Sequence, residues 1–314
     1  FNLWLATALA LLGLHVITGL AGLISMGHGA LLGVGAYAAA LTALHLTRVQ
    51  AWSAWSALAA ALVVATVAGA VLGGLLALVA GRGSGQGAGQ GAGQGAGHQA
   101  GHSSGHLSGH LLALTTFALA AAWPQWLKSP GMSEFTAGSQ GLVWAAMPAD
   151  SWAPRVLSLG LVAVLACVWF VERWARTRHW GLALQAMRDH PQAAAELGFD
   201  LTALKVWALA ISGGLTGFSG AVSAIWVGFV SPDAYSALLS VTLLVGLAVG
   251  GVGQVAGVWL GAAFIQFVPN WAADWSLSMP WAIQGACLLW VAYVAPNGWS
   301  QTWQSLSSWL KKRR

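Results

Sequence analysis

The chain has 314 residues, of which 57% are hydrophobic and only 7% are Asp, Glu, Lys or Arg, with a mean hydropathy of +0.69. A soluble domain carries roughly 25% charged residues because its surface must be hydrated, so a water-soluble globular fold is excluded. The net charge of +5 and the pI of about 9.7 do not indicate nucleic acid; in so apolar a chain the basic residues report membrane orientation.

Apolar runs long enough to cross about 30 Å of hydrocarbon recur along the sequence. Backbone polar groups in lipid must be satisfied internally, and the short alternating segments of a β-barrel are absent, so the runs are predicted to be helices. They fall near 3–22, 27–46, 53–80, 109–127, 155–174, 204–228, 237–251, 254–269 and 280–296. The predicted fold is all-α, a polytopic transmembrane bundle of about eight to nine spans over 1–314. The first run begins at Leu3 and shows no cleavable signal; the chain starts at Phe1, which leaves an upstream helix open.

The first two runs are separated by Leu23-Ile24-Ser25-Met26-Gly27-His28-Gly29. Non-helical backbone at membrane depth is tolerated only where protein or a cavity covers it. Glycines 27, 29, 33 and 35 give the small-residue spacing that lets helices approach closely. Ser25 and His28 have two readings here: a satisfied histidine in tight packing, which the residues alone favour, or groups lining a translocation path.

After the third run, residues 81–112 form a decayed tetrapeptide repeat, GRGS GQGA GQGA GQGA GHQA GHSS GHLS GHLL. Glycine at this density does not hold a helix by itself, so 81–106 is expected to be a flexible loop within a low-complexity insertion at 81–108. His98, His102, His106 and His110 recur every four residues, a spacing that on a helix can bind metal. Glutamine fills the same slot earlier in the repeat, so the period belongs to the repeat and no metal site is expected.

The two cysteines, Cys167 and Cys287, lie inside apolar runs and read as small apolar filler. Of the 20 tryptophans, Trp52, Trp55, Trp123, Trp126, Trp152, Trp174, Trp180, Trp271, Trp275 and Trp281 sit at span ends, as an interfacial aromatic belt does.

The stretch 175–203 joins two spans without being hydrophobic. It holds Arg176, Arg178, Arg188 and, just beyond, Lys205, and the chain ends Lys311-Lys312-Arg313-Arg314. Placing both on the inner side also puts Arg82 inside, and leaves Glu134, Asp150, Asp233 and Asp274 outside with Arg48, Lys128 and Arg155. The start then lies outside and the C-terminus in the cytoplasm. No charged residue falls deep in any predicted span, which argues against a proton-driven carrier.

Within this stretch Pro191 fits an early helical position and Gly198 a helix end. Ala193, Ala194 and Leu197 form a small apolar stripe, with Arg188 and Glu196 in water. A short helix of this kind either docks in a partner's groove or lies on the membrane surface; the residues alone leave both open. In the last third, Gly250, Gly251 and Gly253 interrupt 237–269, either as two half-spans or as one kinked helix.

Four stretches together resemble the branched-chain amino acid ABC permease family, the high-affinity leucine/isoleucine/valine importer type with urea-type relatives. They are GLISMGHGALLGVGAYAAAL at 22–41, FTAGSQGL at 135–142, GLALQAMRDHPQAAAELGFDLTALKVWALAISGGLTGFSGAVSA at 181–224, and GFVSPDAYSALLSVTLLVGLAVGGVGQVAGVWLGA at 228–262. The resemblance implies a permease subunit of an ATP-driven importer in the bacterial inner membrane. Gln192, Ala193, Ala194 and Gly198, flanked by Arg188 and Glu196, would stand in the place of the loop that couples to the ATPase, with Gln192 where the general motif has Glu. It implies gating spans at 204–228 and 237–269, with Gly213, Gly217, Gly250 and Gly251 permitting helix sliding.

The implied partners are a second permease subunit, two ATPase subunits and a periplasmic binding protein. No G-x-x-x-x-G-K-[ST] phosphate loop occurs in the chain, so ATP and magnesium are expected on the partners and no cofactor or enzymatic chemistry here. A passive channel or secondary carrier is the competing class.

Overall fold

The structure, a computed structural model, describes residues 1–90, 100–144, 148, 150–273 and isolated helical positions between 282 and 293. Helix α1 (Asn2–His15) continues without a break into a π turn (Val16–Leu20). A non-helical segment, 21–27, leads to α2 (His28–Arg48). Then come α3 (Ala54–Gln90), α4 (Ala100–Leu127), α5 (Pro130–Thr136), α6 (Ala153–Ala175), α7 (His179–Asp189), α8 (Pro191–Glu196), α9 (Leu201–Val227), α10 (Ala237–Gly250) and α11 (Val255–Ala273). The one sheet among the described residues is a two-residue antiparallel ladder, β1 (Leu142–Val143) on β2 (Phe229–Val230), with Leu142 opposite Val230.

Five helices among the described residues are long and apolar enough to cross a membrane: Asn2–Leu20, His28–Arg48, Ala54–Gly81, Ala153–Ala175 and Leu201–Val227. The second half of α4 coincides with the run expected at 109–127, and α10 and α11 are shorter apolar helices. The run at 280–296 lies outside the described residues apart from isolated helical positions, and so do Cys287, Asp274, Trp275, Trp281, His98 and the basic tail.

α1 is the central helix. Every residue from Ala8 to His15 is buried, and Leu9, Leu11, Leu12 and Leu14 are fully so, as is Ile17 in the π turn. A helix that is apolar all round belongs in such a position. α9 packs beside it and α3 packs antiparallel on α9. That contact is made backbone to backbone: a Cβ added at Gly69, Gly73 or Gly213 would overlap a carbonyl oxygen of the facing helix. Without a hydrophobic force between helices in lipid, such close packing of small residues is a main source of association. The outer faces of α3 (Val63, Val67, Val71, Leu75) and α6 (Leu159, Val162, Phe170) are exposed and apolar, as hydrocarbon-facing surfaces are. Cys167 is exposed on α6.

One segment differs from expectation, and one that the sequence left open is resolved. Helix extends into the glycine repeat from both sides, through Gln90 in α3 and from Ala100 in α4. Propagation from an already formed span adds one hydrogen bond per residue fixed and needs no new nucleus, so the entropic cost of glycine does not stop it at residue 81. The 237–269 region is two helices: Gly251, with φ +103°, ends α10, and α11 returns antiparallel with Gly250 against Gly257 and Gly246 against Gly261.

Charges and aromatic groups sort to two ends. Arg176, Arg188, α7 and α8 lie with Gly19 and Gly253 at one of them, the basic end. At the opposite end Lys128 pairs with Asp233, and Trp55 stacks on Trp152 at 4.8 Å while donating to Asp150.

Candidate functional site

Two breaks between the long helices, one from each end of the bundle, converge on the start of α2, where a polar cluster is buried. Segment 21–27 comes from the basic end, where Gly22 (φ +69°) closes the α1–π run and Leu23 N–H donates to Ile17 O at 3.0 Å. Segment 229–236, which holds β2 and a 3-10 turn (Pro232–Tyr235), comes from the opposite end and brings Ser236 and the start of α10 against Gly29. Ser212, bonded to His28, lies near the middle of α9, roughly 16 Å from its start at 1.5 Å per residue.

His28, the first residue of α2, occupies the centre and is fully buried. Its Nε2 lies 2.7 Å from Ser212 Oγ and its Nδ1 3.1 Å from Ser25 Oγ. Ser212 Oγ also donates to Gly13 O at 2.6 Å. A hydroxyl has one proton, so His28 Nε2–H is the donor to Ser212, and Ser25 Oγ partners Nδ1. The donors of the broken backbone are met by side chains of other helices: Met26 N–H by Thr116 Oγ1 (3.0 Å) and Gly29 N–H by Ser240 Oγ (2.9 Å). This is how irregular backbone survives at membrane depth.

From this cluster Gly29, Gly33 and Tyr37 follow one face of α2 towards the opposite end. Gly29 lies against Ser236 and Ser240, and Gly33 against Trp123 Nε1 and Tyr235. The Tyr37 ring meets Trp123 edge-on at 6.4 Å. Tyr37 OH and Trp123 Nε1 are buried without a hydrogen-bond partner among the described residues. The row of polar atoms thus runs from mid-depth towards the Lys128–Asp233 pair past the packed rings of Tyr37, Trp123 and Tyr235.

At the basic end, α7 buries Gly181, Ala183, Leu184 and Met187. In α8, Pro191 sits at the first turn and Gly198 (φ +87°) supplies the left-handed backbone after the helix, both as the sequence predicts. Of the expected apolar stripe only Ala194 is enclosed, at 0% exposure; Ala193 is exposed and Leu197 is 75% exposed. One turn of helix places only Ala194 against the bundle, so the others face outward with Gln192 and Glu196.

Arg188 is exposed, as expected, yet one of its nitrogens reaches the bundle. Its Nη1 donates to Gly19 O at 2.7 Å, and its Nε donates to Asp189 Oδ1 at 2.8 Å. That guanidinium holds the exposed Asp189 carboxyl below the usual carboxylate range. Gly213 and Gly217 lie in the contact with α3, and Gly250 and Gly251 at the α10–α11 turn.

A second buried polar group is not apparent from the sequence. Glu172, at the end of its span on the basic side, is 5% exposed and pairs with His15 Nε2 at 3.2 Å and Arg176 Nη2 at 2.7 Å. It is buried because the last turns of α6 pack on α1, where His15 interrupts an otherwise apolar run. That lone histidine was the available signal; Ser212, Thr116 and Ser240 had none, since single hydroxyls are common in packed spans. Among the described residues no group of three or more His, Cys, Asp or Glu is placed to hold a metal ion.

Over residues 2–292 the chain matches the family described as branched-chain amino acid transport system / permease component. The chain belongs to this family. It is similar to the high-affinity branched-chain amino acid transport system permease protein LivM of Salmonella typhimurium (strain LT2), at 34% identity over 113 residues, 35% of this chain and 27% of that protein. The LivM protein of Escherichia coli (strain K12) matches with the same identity over the same shares. The match therefore spans 27% of the length of these curated relatives. No solved structure matches the chain significantly. The permease family and the apolar helices agree on a multi-pass membrane protein.

Proposed function

We propose that the chain is one permease half of an ATP-driven importer of branched-chain amino acids in the bacterial inner membrane. It would pair with a second permease subunit, dock two ATPase subunits that hold ATP and magnesium, and receive substrate from a periplasmic binding protein. The observation that carries this reading is the α7–α8 unit at the basic end. One side of it is buried in the bundle against the π turn, while Gln192, Ala193, Glu196 and Leu197 face outward. The positive-inside bias supports a cytoplasmic position for that unit, where a partner's groove would take a short helix of this kind.

The broken helices meeting at His28 support a transport path, because discontinuous spans commonly line binding sites near the bilayer midplane. Ser25 and His28 would line the path and the Tyr37–Trp123–Tyr235 constriction would close its outer end. Gly213, Gly217, Gly250 and Gly251 would let α9 and the α10–α11 hairpin slide. The choice of branched-chain amino acids over urea or short amides rests on the family's description.

The test is reconstitution of the complex with its neighbouring ATPases and binding protein in proteoliposomes. Labelled leucine should accumulate against its gradient only with hydrolysable ATP. Equilibration without ATP would assign a passive channel instead, and accumulation of urea but not leucine would replace the substrate.

A further inference from the structure

The cytoplasmic helix α7 is fastened at its C-terminal end to the π turn Val16–Leu20, and the chain just before it is fastened to the end of α1. At its C-terminal end Arg188 Nη1 donates to Gly19 O at 2.7 Å, and the arginine's stem lies over Gly22, where any Cβ would collide with it. Just before its N-terminal end, Arg176 Nη2 lies 2.7 Å from Nε2 of His15, the residue preceding the turn, and 2.7 Å from Glu172 Oε1. Arg176 Nη1 also reaches Gly253 O at 3.4 Å, in the α10–α11 turn. A Cβ at Gly19 would lie 2.5 Å from Val252 O and 2.6 Å from the His15 ring, so the turn has no slack on that side either.

The last carbonyls of a helix lack internal partners and carry partial negative charge. A guanidinium meets both needs at Gly19 and is a directional donor where an ammonium is not. Three residues beyond Gly22 is Ser25, and three further is His28. The chain between the fastening and the mid-depth cluster is thus a short non-helical segment, itself tied by Leu23 N–H to Ile17 O and by Met26 N–H to Thr116.

We infer that Arg188 is a positioning residue that makes α7 and the π turn move as one body, so that displacement of the docking unit is delivered along segment 21–27 to Ser25 and His28. Arg188 is then a transmission pin that reaches the bundle through Nη1 while its Nε pairs with Asp189 at the surface. This rests on the importer reading for its source of motion, but the pin itself is a property of this chain.

The test uses the purified complex with Arg188→Gln and Arg188→Lys. In proteoliposomes R188Q should hydrolyse ATP within about twofold of the parent while leucine uptake per ATP falls tenfold or more; R188K, which keeps a donor and a charge, should recover part of it. In parallel, spin labels at Ile24→Cys and Leu182→Cys, with Cys167 and Cys287 replaced by Ser, report the distance between segment 21–27 and α7. Both label sites are about half exposed. The distribution should be narrow and unchanged by nucleotide in the parent, and at least twice as wide in R188Q. Parent-like uptake per ATP in R188Q, or an equally narrow distribution, overturns the pin. A parent complex without ATP-driven leucine uptake counts against the importer reading instead, and the label distances still decide the pin.

Discussion

Replacing Ser212 by Ala removes one hydroxyl and separates three elements at once. Ser212 Oγ accepts from His28 Nε2–H and donates to Gly13 O, and both bonds cross between helices at full burial. The substitution orphans a buried N–H outright, which costs about 1–3 kcal/mol in general. Interhelical bonds in membranes are worth less, about 0.6 kcal/mol on average and about 1.7 at most, because the unfolded chain in lipid finds other partners.

With two such bonds lost and α9 packed too closely on Gly13 to admit a replacement water, a loss of about 2 kcal/mol is expected. That is roughly a 30-fold shift in the folded fraction, since about 1.4 kcal/mol is tenfold. Unfolding in mixed micelles titrated with SDS, followed by tryptophan emission, reads this directly. The exposed Thr242 hydroxyl, bonded only to Leu238 O in its own helix, is the control, and T242A should change nothing. A cycle with His28→Ala should show coupling of about 1 kcal/mol between the two positions. If S212A unfolds at the parent's midpoint, or the cycle is additive within about 0.3 kcal/mol, the cluster is not held by this hydrogen-bond chain.

Gly213→Val should destabilise by about 1–3 kcal/mol through overpacking, because even its Cβ overlaps Gly69 O. Gly160→Val, in open space on α6, should leave the melting temperature unchanged. Ala194→Asp puts a carboxylate into the contact that seats α8 on the bundle and should abolish uptake without stopping membrane insertion; unchanged ATP-dependent uptake would count against a coupling role for the seated α8. Gly198→Asn, a residue that tolerates left-handed backbone, should keep coupling, while Gly198→Val should strain the φ +87° position and lose it. Lys128→Ala breaks an exposed pair with Asp233 and should cost less than about 1 kcal/mol in a thermal melt.

The membrane class, the positions of most helices and the two-ended sorting of charge were legible in the sequence itself. Hydrocarbon demands long apolar runs and expels charge from them, so both leave a mark in one dimension. The α8 helix was equally legible, because Pro191 and Gly198 are terminus signals that act locally. What only the tertiary structure decided is where the polar groups point. Ser25 and His28 read as packing or path until Ser212, 184 positions from His28, closed the network. Glu172 is enclosed only because the ends of α1 and α6 come together around it, and Arg188 reaches Gly19 O only because α7 packs on the π turn. A single hydroxyl or a charge at a span end looks the same in sequence whether it faces lipid headgroups or another helix; its partner, far along the chain, is what distinguishes the two.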